Sequence, residues 1–343
     1  MEPDALSPEN QAKRPEDVPV DAEILSESAH DDAPVLNAAA PDWNTAAPGP
    51  KHYAGFINII GRPNVGKSTL TNALVGEKLS VITPKAQTTR HRIFGLVNGD
   101  DYQMVFSDTP GIIKEPMYKL QVQMNEYVRS SFLDADVMLL VTEPGESFTD
   151  DDPTLERLGR LEIPLMMLIN KADKSEPETL KALHEQWQER FPRADVRVIA
   201  AKTGEGVAAL KEQLRGLLPE HPPYFDKDTW TDRPERFFVT EIVREKILLN
   251  YKQEIPYSVE VAVETFQETD AIIRIRTLIF ANRQSQKAIL IGREGQALKR
   301  VGMAARQDLE AFFDKQVHLE LFVKVREGWR DKEADLRSFG YDG

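Results

Sequence analysis

Short apolar runs alternate with stretches of helical spacing along the first half of the chain. Runs at 56–60, 102–106, 137–142, 165–170 and 196–200 read as buried strands, with one helix opening at Lys67 and another covering 206–218. That alternation predicts an α/β unit on a doubly wound, mostly parallel sheet. Pro219, His221, Pro222 and Pro223 then interrupt the pattern, which marks a domain boundary near residue 220.

Beyond a linker at 221–233 the texture changes. A helix is expected over 234–251, followed by strands at 257–266 and 271–280. In the first strand Val259, Val261 and Val263 alternate with Glu260 and Glu264; in the second Ile273 and Ile275 alternate with Arg274 and Arg276. Each therefore predicts one wet face. A short helix at 285–291, the tetrapeptide Gly292-Arg293-Glu294-Gly295, a longer helix to Phe313 and a strand at 318–325 complete the order α, β, β, α, α, β. The expectation is a smaller α+β domain over 234–330, then a C-terminal tail at 331–343. Neither unit shows an internal repeat.

Composition changes the picture mainly at the N-terminus. The 343 residues suffice for two domains at about 150 residues each. Of the net charge of −13, the first 50 residues carry −9, from 11 acids against Lys13 and Arg14. With eight prolines and ten alanines, that segment is read as a disordered acidic tail. The absence of cysteine removes disulfides and thiolate chemistry and suggests a reducing compartment. No apolar run approaches the ~20 residues of a membrane span, and no targeting pattern opens the chain, so a cytoplasmic location is expected.

Three motifs carry chemistry in the first unit. Gly61-Arg62-Pro63-Asn64-Val65-Gly66-Lys67-Ser68, with Thr69 next, follows a buried strand and opens a helix, the context of a phosphate-binding loop. Its backbone N–H groups and helix N-terminus suit an anion, Lys67 can reach β and γ phosphates, and Ser68 can ligate Mg²⁺. Asp108-Thr109-Pro110-Gly111 ends the run at 102–106, offering a carboxylate to Mg²⁺ and a glycine N–H to the γ phosphate. Asn170-Lys171-Ala172-Asp173 ends the run at 165–170. There Asp173 would accept from guanine's N1–H and amine, Lys171 would lie over the base and Asn170 would brace the loop. All three fall at strand C-terminal ends, where open α/β sheets bind ligands.

These residues, with Gln87-Thr88-Thr89-Arg90-His91-Arg92 and the C-terminal part from Gly292, resemble the Era family within the translation-factor-related GTPases. The resemblance spans residues 53–330 and implies GTP and GDP as substrate and product. It implies a first switch at Gln87, Thr88, Thr89, Arg90 and His91, with Thr89 closing on Mg²⁺ and the γ phosphate. Lys67, Thr89 and Gly111 are then the catalytic residues, and Ser68, Thr89 and Asp108 hold Mg²⁺. Where similar proteins carry Ser-Ala-Lys beside guanine, this chain has Ala200-Ala201-Lys202, and the backbone N–H of Ala201 is expected to meet the base. Ile112 occupies the position where many related switches place a water-orienting glutamine, so hydrolysis is expected to be slow. Asn64 matches the asparagine that ligates K⁺ in similar GTPases, which implies K⁺ stimulation.

The Gly292–Gly295 tetrapeptide joins two helices behind two strands, matching the K-homology RNA-binding domain (type II), whose loop admits sugar-phosphate backbone beside a groove for about four unpaired nucleotides. Gly292, Arg293, Glu294, Gly295, Lys287, Lys299 and Arg300 are the candidate RNA contacts. Residues 283–330 hold ten Lys or Arg against six acids, an excess that suits phosphate. Glu294 departs from the basic or small residue common in such loops. Ile289, Leu290, Ile291 and Leu298 could line the groove floor against bases, though as an apolar stripe they are first of all core. By the resemblance, the RNA is the single-stranded 3′ end of small-subunit ribosomal RNA, the role is small-subunit maturation, the protein is a monomer and its contact with the inner membrane is peripheral. Two readings compete: a membrane-associated regulatory GTPase whose C-terminal domain binds a protein effector, and a relative of the ribosome GTPases with two G domains. A single phosphate loop and an intact Gly-x-x-Gly argue against the second.

Overall fold

The computed structural model describes residues 51–341 apart from Asp150; the acidic segment 1–50 lies outside the described residues. In the first domain, β1 (Tyr53–Ile60), β2 (Ile93–Asn98), β3 (Tyr102–Asp108), β4 (Val137–Thr142), β5 (Leu165–Ile169) and β6 (Asp195–Val198) form one sheet in the order β2-β3-β1-β4-β5-β6. Strand β4 shows why its run is continuously apolar. Val137, Leu139 and Val141 face one core, shared with Leu70 and Leu74 of α1 (Lys67–Val75) and Leu210 and Leu214 of α5 (Val207–Arg215). Met138 and Leu140 face the other, shared with α2 (Lys119–Ser130), α3 (Pro153–Gly159) and α4 (Pro177–Arg190) through Val128, Leu158 and Trp187. Because β1 has β3 on one side and β4 on the other, the chain reverses direction of growth at its C-terminal end, where a crevice opens.

Strand β2 is absent from the sequence expectation. It pairs antiparallel with β3, and Gly95 interrupts its short apolar run, which weakens the strand signal. Its outer edge is covered by the segment expected to be a free linker. The Leu96 N–H donates to the Trp230 carbonyl at 2.9 Å, and the Phe94 N–H donates to Asp232 Oδ1 at 2.9 Å. An edge strand is thereby closed to other chains.

The second domain has the expected element order: α6 (Glu235–Asn250), β7 (Val259–Glu268), β8 (Ile272–Ala281), α7 (Gln284–Ile291), α8 (Gln296–Phe313) and β9 (Gln316–Val325). Strands β7 and β8 pair antiparallel, and β8 and β9 parallel, with the two intervening helices making the crossover. Val243, Ile247, Val259, Ile273, Ile275, Val301 and Leu309 fill the core between helices and sheet. Glu260, expected on a wet face, is only 5% exposed. Within the expected tail at 331–343, the described residues 331–341 are structured. A 3₁₀ turn (Trp329–Asp331) and α9 (Glu333–Ser338) carry the chain back to the first domain, where Trp329, Leu336 and Tyr341 pack on Leu120 and Met124 of α2.

Candidate nucleotide site and the Gly-x-x-Gly loop

Helix α1 begins at Lys67 because Gly66 takes φ 103°, a left-handed conformation that costs other residues strain. A β-carbon there would stand 2.2 Å from Nδ2 of Asn170, so glycine is required twice over. That close approach is the brace of the site. Asn170, 2% exposed, donates to the Val65 carbonyl at 2.8 Å and accepts the Ala201 N–H at 2.9 Å. One amide thus ties the phosphate loop to the loop after β6. The Ala201 N–H, expected to meet the base, is the one that donates to Asn170.

Around this brace lies a cavity of about 590 Å³ lined by Pro63, Asn64, Gly66, Lys67, Ser68, Thr69, Gln87, Thr88, Thr89, Thr109, Gly111, Asn170, Lys171, Asp173 and Lys202. The three motifs and the first switch converge there. Its wall also includes Val81, Ile82, Thr83, Pro84 and Lys174, which sequence reasoning missed. The first four lie just before the switch, with the Thr83 and Thr88 hydroxyls 2.6 Å apart, and Lys174 directly follows Asp173.

Several candidates stand behind the wall. Gly61, Val65, Pro110, Ala200 and Ala201 do not line it, and Ile112 packs its side chain toward the core while its N–H donates to the Gly61 carbonyl at 3.2 Å. The Arg62 side chain turns away, its guanidinium 4.1 Å from the Phe148 ring centre, 3.3 Å from Glu146 and 3.5 Å from Asp152. Arg90 and His91, expected in the first switch, do not line the cavity: they are 0% and 8% exposed and face the second domain. Arg90 donates to the Val259 carbonyl at 2.8 Å and to Glu260 at 2.9 Å, and His91 stacks on Tyr341 with ring centres 4.3 Å apart.

The electrostatics suit a polyphosphate. Lys67 Nζ donates to the carbonyls of Gly61 and Arg62 at 3.1 and 3.0 Å, and burial lowers its pKa to about 8 against the opposing pull of Asp108 and Glu146. The Ser68 and Thr89 hydroxyls meet at 2.9 Å. Beside them Asp108 is fully buried, neither carboxylate oxygen has a hydrogen-bond partner, and burial pushes its carboxyl up, with Ser68 and Lys67 countering. An unpartnered buried carboxylate next to two hydroxyls is an oxygen donor set for a hard divalent cation, so these residues fit Mg²⁺. Toward the base end, Lys171 takes φ 63° and pairs with Glu143, while Asp173 is exposed.

The second candidate site is open by contrast. Gly292 takes φ 72° and ψ 178°, a region essentially reserved for glycine, and a β-carbon there would meet that of Ala297 at 2.6 Å. Glu294 and Gly295 also have positive φ, and the Arg293 and Glu294 side chains are 93% and 76% exposed with their charged ends 3.7 Å apart. Lys299 and Arg300 are exposed at the start of α8, and Lys287 is half-buried on α7. Of the four apolar candidates, Leu290 is fully buried core, Ile291 and Leu298 are partly buried against it, and Ile289 is 53% exposed.

Comparison with known proteins adds to this geometry. Residues 56–171 match the model of a family described as 50S ribosome-binding GTPase, and residues 254–330 match that of the KH domain. The chain is 45% identical over 294 residues to GTPase Era of Syntrophus aciditrophicus, covering 84% of this chain and 95% of that one. It is 42% identical to a chloroplastic ERA-like GTPase of Arabidopsis thaliana, covering 86% of this chain and 70% of the relative. Among solved structures, an Era in complex with MgGDPNP and nucleotides 1506–1542 of 16S ribosomal RNA superposes with TM-score 0.81 at 36% identity, over 85% of this chain and all of that one.

Proposed function

The chain belongs to the Era family of GTPases, and from that premise we propose how its two sites divide the work. The first domain binds GTP and hydrolyses it to GDP and phosphate. The second takes single-stranded RNA at the 3′ end of 16S ribosomal RNA, and together they assist processing of that RNA and biogenesis of the small (30S) subunit. The observation that carries this reading is the convergence of phosphate loop, switch, Asp108–Gly111 turn and Asn170–Asp173 loop on one cavity, in a chain that also presents the Gly292–Gly295 loop. The RNA assignment is supported by the solved Era complex with 16S RNA.

In this reading Lys67 exchanges the carbonyls of Gly61 and Arg62 for β and γ phosphate oxygens, and the anion offsets the burial that depresses its pKa. The Gly111 N–H and the first turn of α1 bind the γ phosphate. Ser68, Thr89 and Asp108 would hold Mg²⁺, which supplies charge neutralisation on the phosphates. Asp173 selects guanine, Lys171 covers the base, and Asn170 keeps both loops in register. With Ile112 unable to orient water, intrinsic hydrolysis is slow. The Asn64 amide nitrogen donates to the Pro84 carbonyl at 3.3 Å, leaving its oxygen for K⁺. In the second domain the Gly292–Gly295 loop admits the sugar-phosphate backbone, and Lys287, Arg293, Lys299 and Arg300 face phosphates.

The same reading makes the protein a cytoplasmic monomer with peripheral inner-membrane contact, as the family resemblance implies. Among the described residues no helix is long and apolar enough to cross a membrane. The test is the affinity for a short RNA copying the 3′ end of 16S RNA, measured with a non-hydrolysable GTP analogue and with GDP at one salt concentration. Tighter binding in the GTP state is expected. Equal, sequence-blind binding in both states would favour a regulatory GTPase with a protein effector, and equal turnover in Na⁺ and K⁺ buffers would remove the role of Asn64.

A further inference from the structure

Thr89 is the switch residue whose hydroxyl meets Ser68, and groups of the second domain bond its neighbours on both sides, the Thr88 carbonyl and the Arg90 side chain. Before it, the Thr88 carbonyl accepts from Arg244 of α6, a guanidinium 1% exposed and itself clamped by Glu241, with Nε to Oε1 at 2.8 Å. Earlier still, Lys85 Nζ donates to the carbonyls of Leu248 and Tyr251 at the C-terminal end of α6, where the helix dipole favours a cation. After it, Arg90 donates to the carbonyls of Val259 and Pro256 at 2.8 and 3.2 Å and to Glu260 Oε2 at 2.9 Å. That same carboxylate oxygen accepts the Tyr341 hydroxyl at 2.7 Å. The phenol ring lies flat on His91, with 14° between the planes, and is held from behind by the Trp329–Leu336 cluster against α2. The last described residue of the chain therefore closes the pocket that grips the first switch.

We propose that Arg244, Glu260 and Tyr341 are positioning residues for GTP hydrolysis: acting through the Thr88 carbonyl and Arg90, they fix the backbone flanking Thr89 and so hold its hydroxyl against Ser68. The inference rests on the reading of Thr89 as the metal-facing switch residue. It makes the second domain part of the hydrolytic apparatus as well as a binding module. None of the three touches the cavity, so they act on turnover rather than on nucleotide capture. A buried charge pair is costly to break from one side, because the remaining charge is left without its partner. Tyr341→Phe is therefore the cleaner probe: it keeps the ring stacked on His91 and removes only the hydroxyl.

The experiment measures kcat, KM for GTP and the Mg²⁺ dependence of turnover in the full chain for Tyr341→Phe, Glu260→Gln, Thr89→Ala and the double variant Tyr341→Phe with Thr89→Ala. Removing a hydrogen bond to a charged group should lower kcat on the order of tenfold, shift the Mg²⁺ requirement upward and leave KM for GTP nearly unchanged. In the Thr89→Ala background the tyrosine substitution should add nothing, since a positioning residue has no effect once the group it positions is gone. If Thr89→Ala slows turnover but Tyr341→Phe and Glu260→Gln do not, or if the two effects simply multiply, the proposal falls and the switch reading stands. If Thr89→Ala itself changes neither kcat nor Mg²⁺ dependence, the switch reading falls, and the proposal with it.

Discussion

The two candidate sites are built on opposite physical plans. At the nucleotide site the groups that organise the chemistry are buried: Asn170 at 2%, Lys67 at 6% and Asp108 at 0% exposure, the first two held by hydrogen bonds to the loops around them. At the Gly-x-x-Gly loop the charged side chains stand in solvent, and what is fixed is the backbone, through three residues with positive φ. A phosphate chain must be met by many donors at set positions in a water-poor cavity, which rewards buried braces. A sugar-phosphate strand must be allowed to approach a surface, which rewards a loop with nothing in the way. The first site should therefore fail when a hidden hydrogen bond is lost, and the second when a β-carbon is added.

The sharpest test on the first side is Asn170→Ala. It leaves the Val65 carbonyl and the Ala201 N–H buried without their partner, at about 1–3 kcal/mol each. Thermal or urea unfolding should show a loss of about 2–5 kcal/mol, and affinity for GDP should fall on the order of 100-fold. Asn170→Asp keeps the acceptor for Ala201 but sets a buried carboxylate oxygen against the Val65 carbonyl, so it should be no more stable than the alanine variant. An alanine variant with unaltered GDP affinity would mean that the brace is not what organises the site.

On the second side, Gly292 and Gly295 separate crowding from strain. A β-carbon at Gly292 meets Ala297 at 2.6 Å in a backbone region closed to other residues, whereas at Gly295 it meets nothing within 4 Å and only the φ of 74° opposes it. Gly292→Asp should lower RNA affinity at least about tenfold, while Gly295→Ala meets only about 1–2 kcal/mol of left-handed strain, which is present with and without RNA, so its RNA affinity should fall no more than about threefold. GTP turnover without RNA should be unchanged in both. Equal losses for the two would show that the loop acts through charge or flexibility rather than through backbone approach.

This contrast also governs what could be read from the sequence. The phosphate loop, the Asp108–Gly111 turn and the Asn170–Asp173 loop are legible because each chemistry needs its residue types a few positions apart, at a strand end that the apolar pattern locates. The second domain's element order was legible for the same reason. The grip on the first switch was not, because Arg90 and Glu260 stand 170 positions apart and Glu260 and Tyr341 stand 81 apart. Glu260 alternates with valines and so looks like the wet face of a strand; only the docked first domain makes that face dry. Helix α9 escaped because Glu-Ala-Asp-Leu-Arg-Ser offers one large apolar residue, Leu336, and no period.

The smallest expected effect lies on the back wall of the phosphate loop, where the buried plan has a pH signature. Glu146 sits with Arg62 and Phe148 behind the loop, and burial raises its carboxyl to about 7, against the lowering pull of Arg62. The sign follows from linkage: between its ordinary value of 4.5 and about 7 the folded state holds a proton that the unfolded state has released. Stability contributed by this group is therefore present below that window and lost as pH rises through it. Urea midpoints compared at pH 5 and pH 8 should show the native chain carrying a downward component that Glu146→Gln abolishes, since the amide neither ionises nor needs to be kept protonated. Any change in turnover should be small, because Glu146 lies outside the cavity lining and reaches Lys67 only through the weaker of the two carboxylate pulls on it. The same pH slope in the native chain and in Glu146→Gln would mean that Arg62 already holds the carboxylate ionised and that the wall behind the phosphate loop is a plain ion pair.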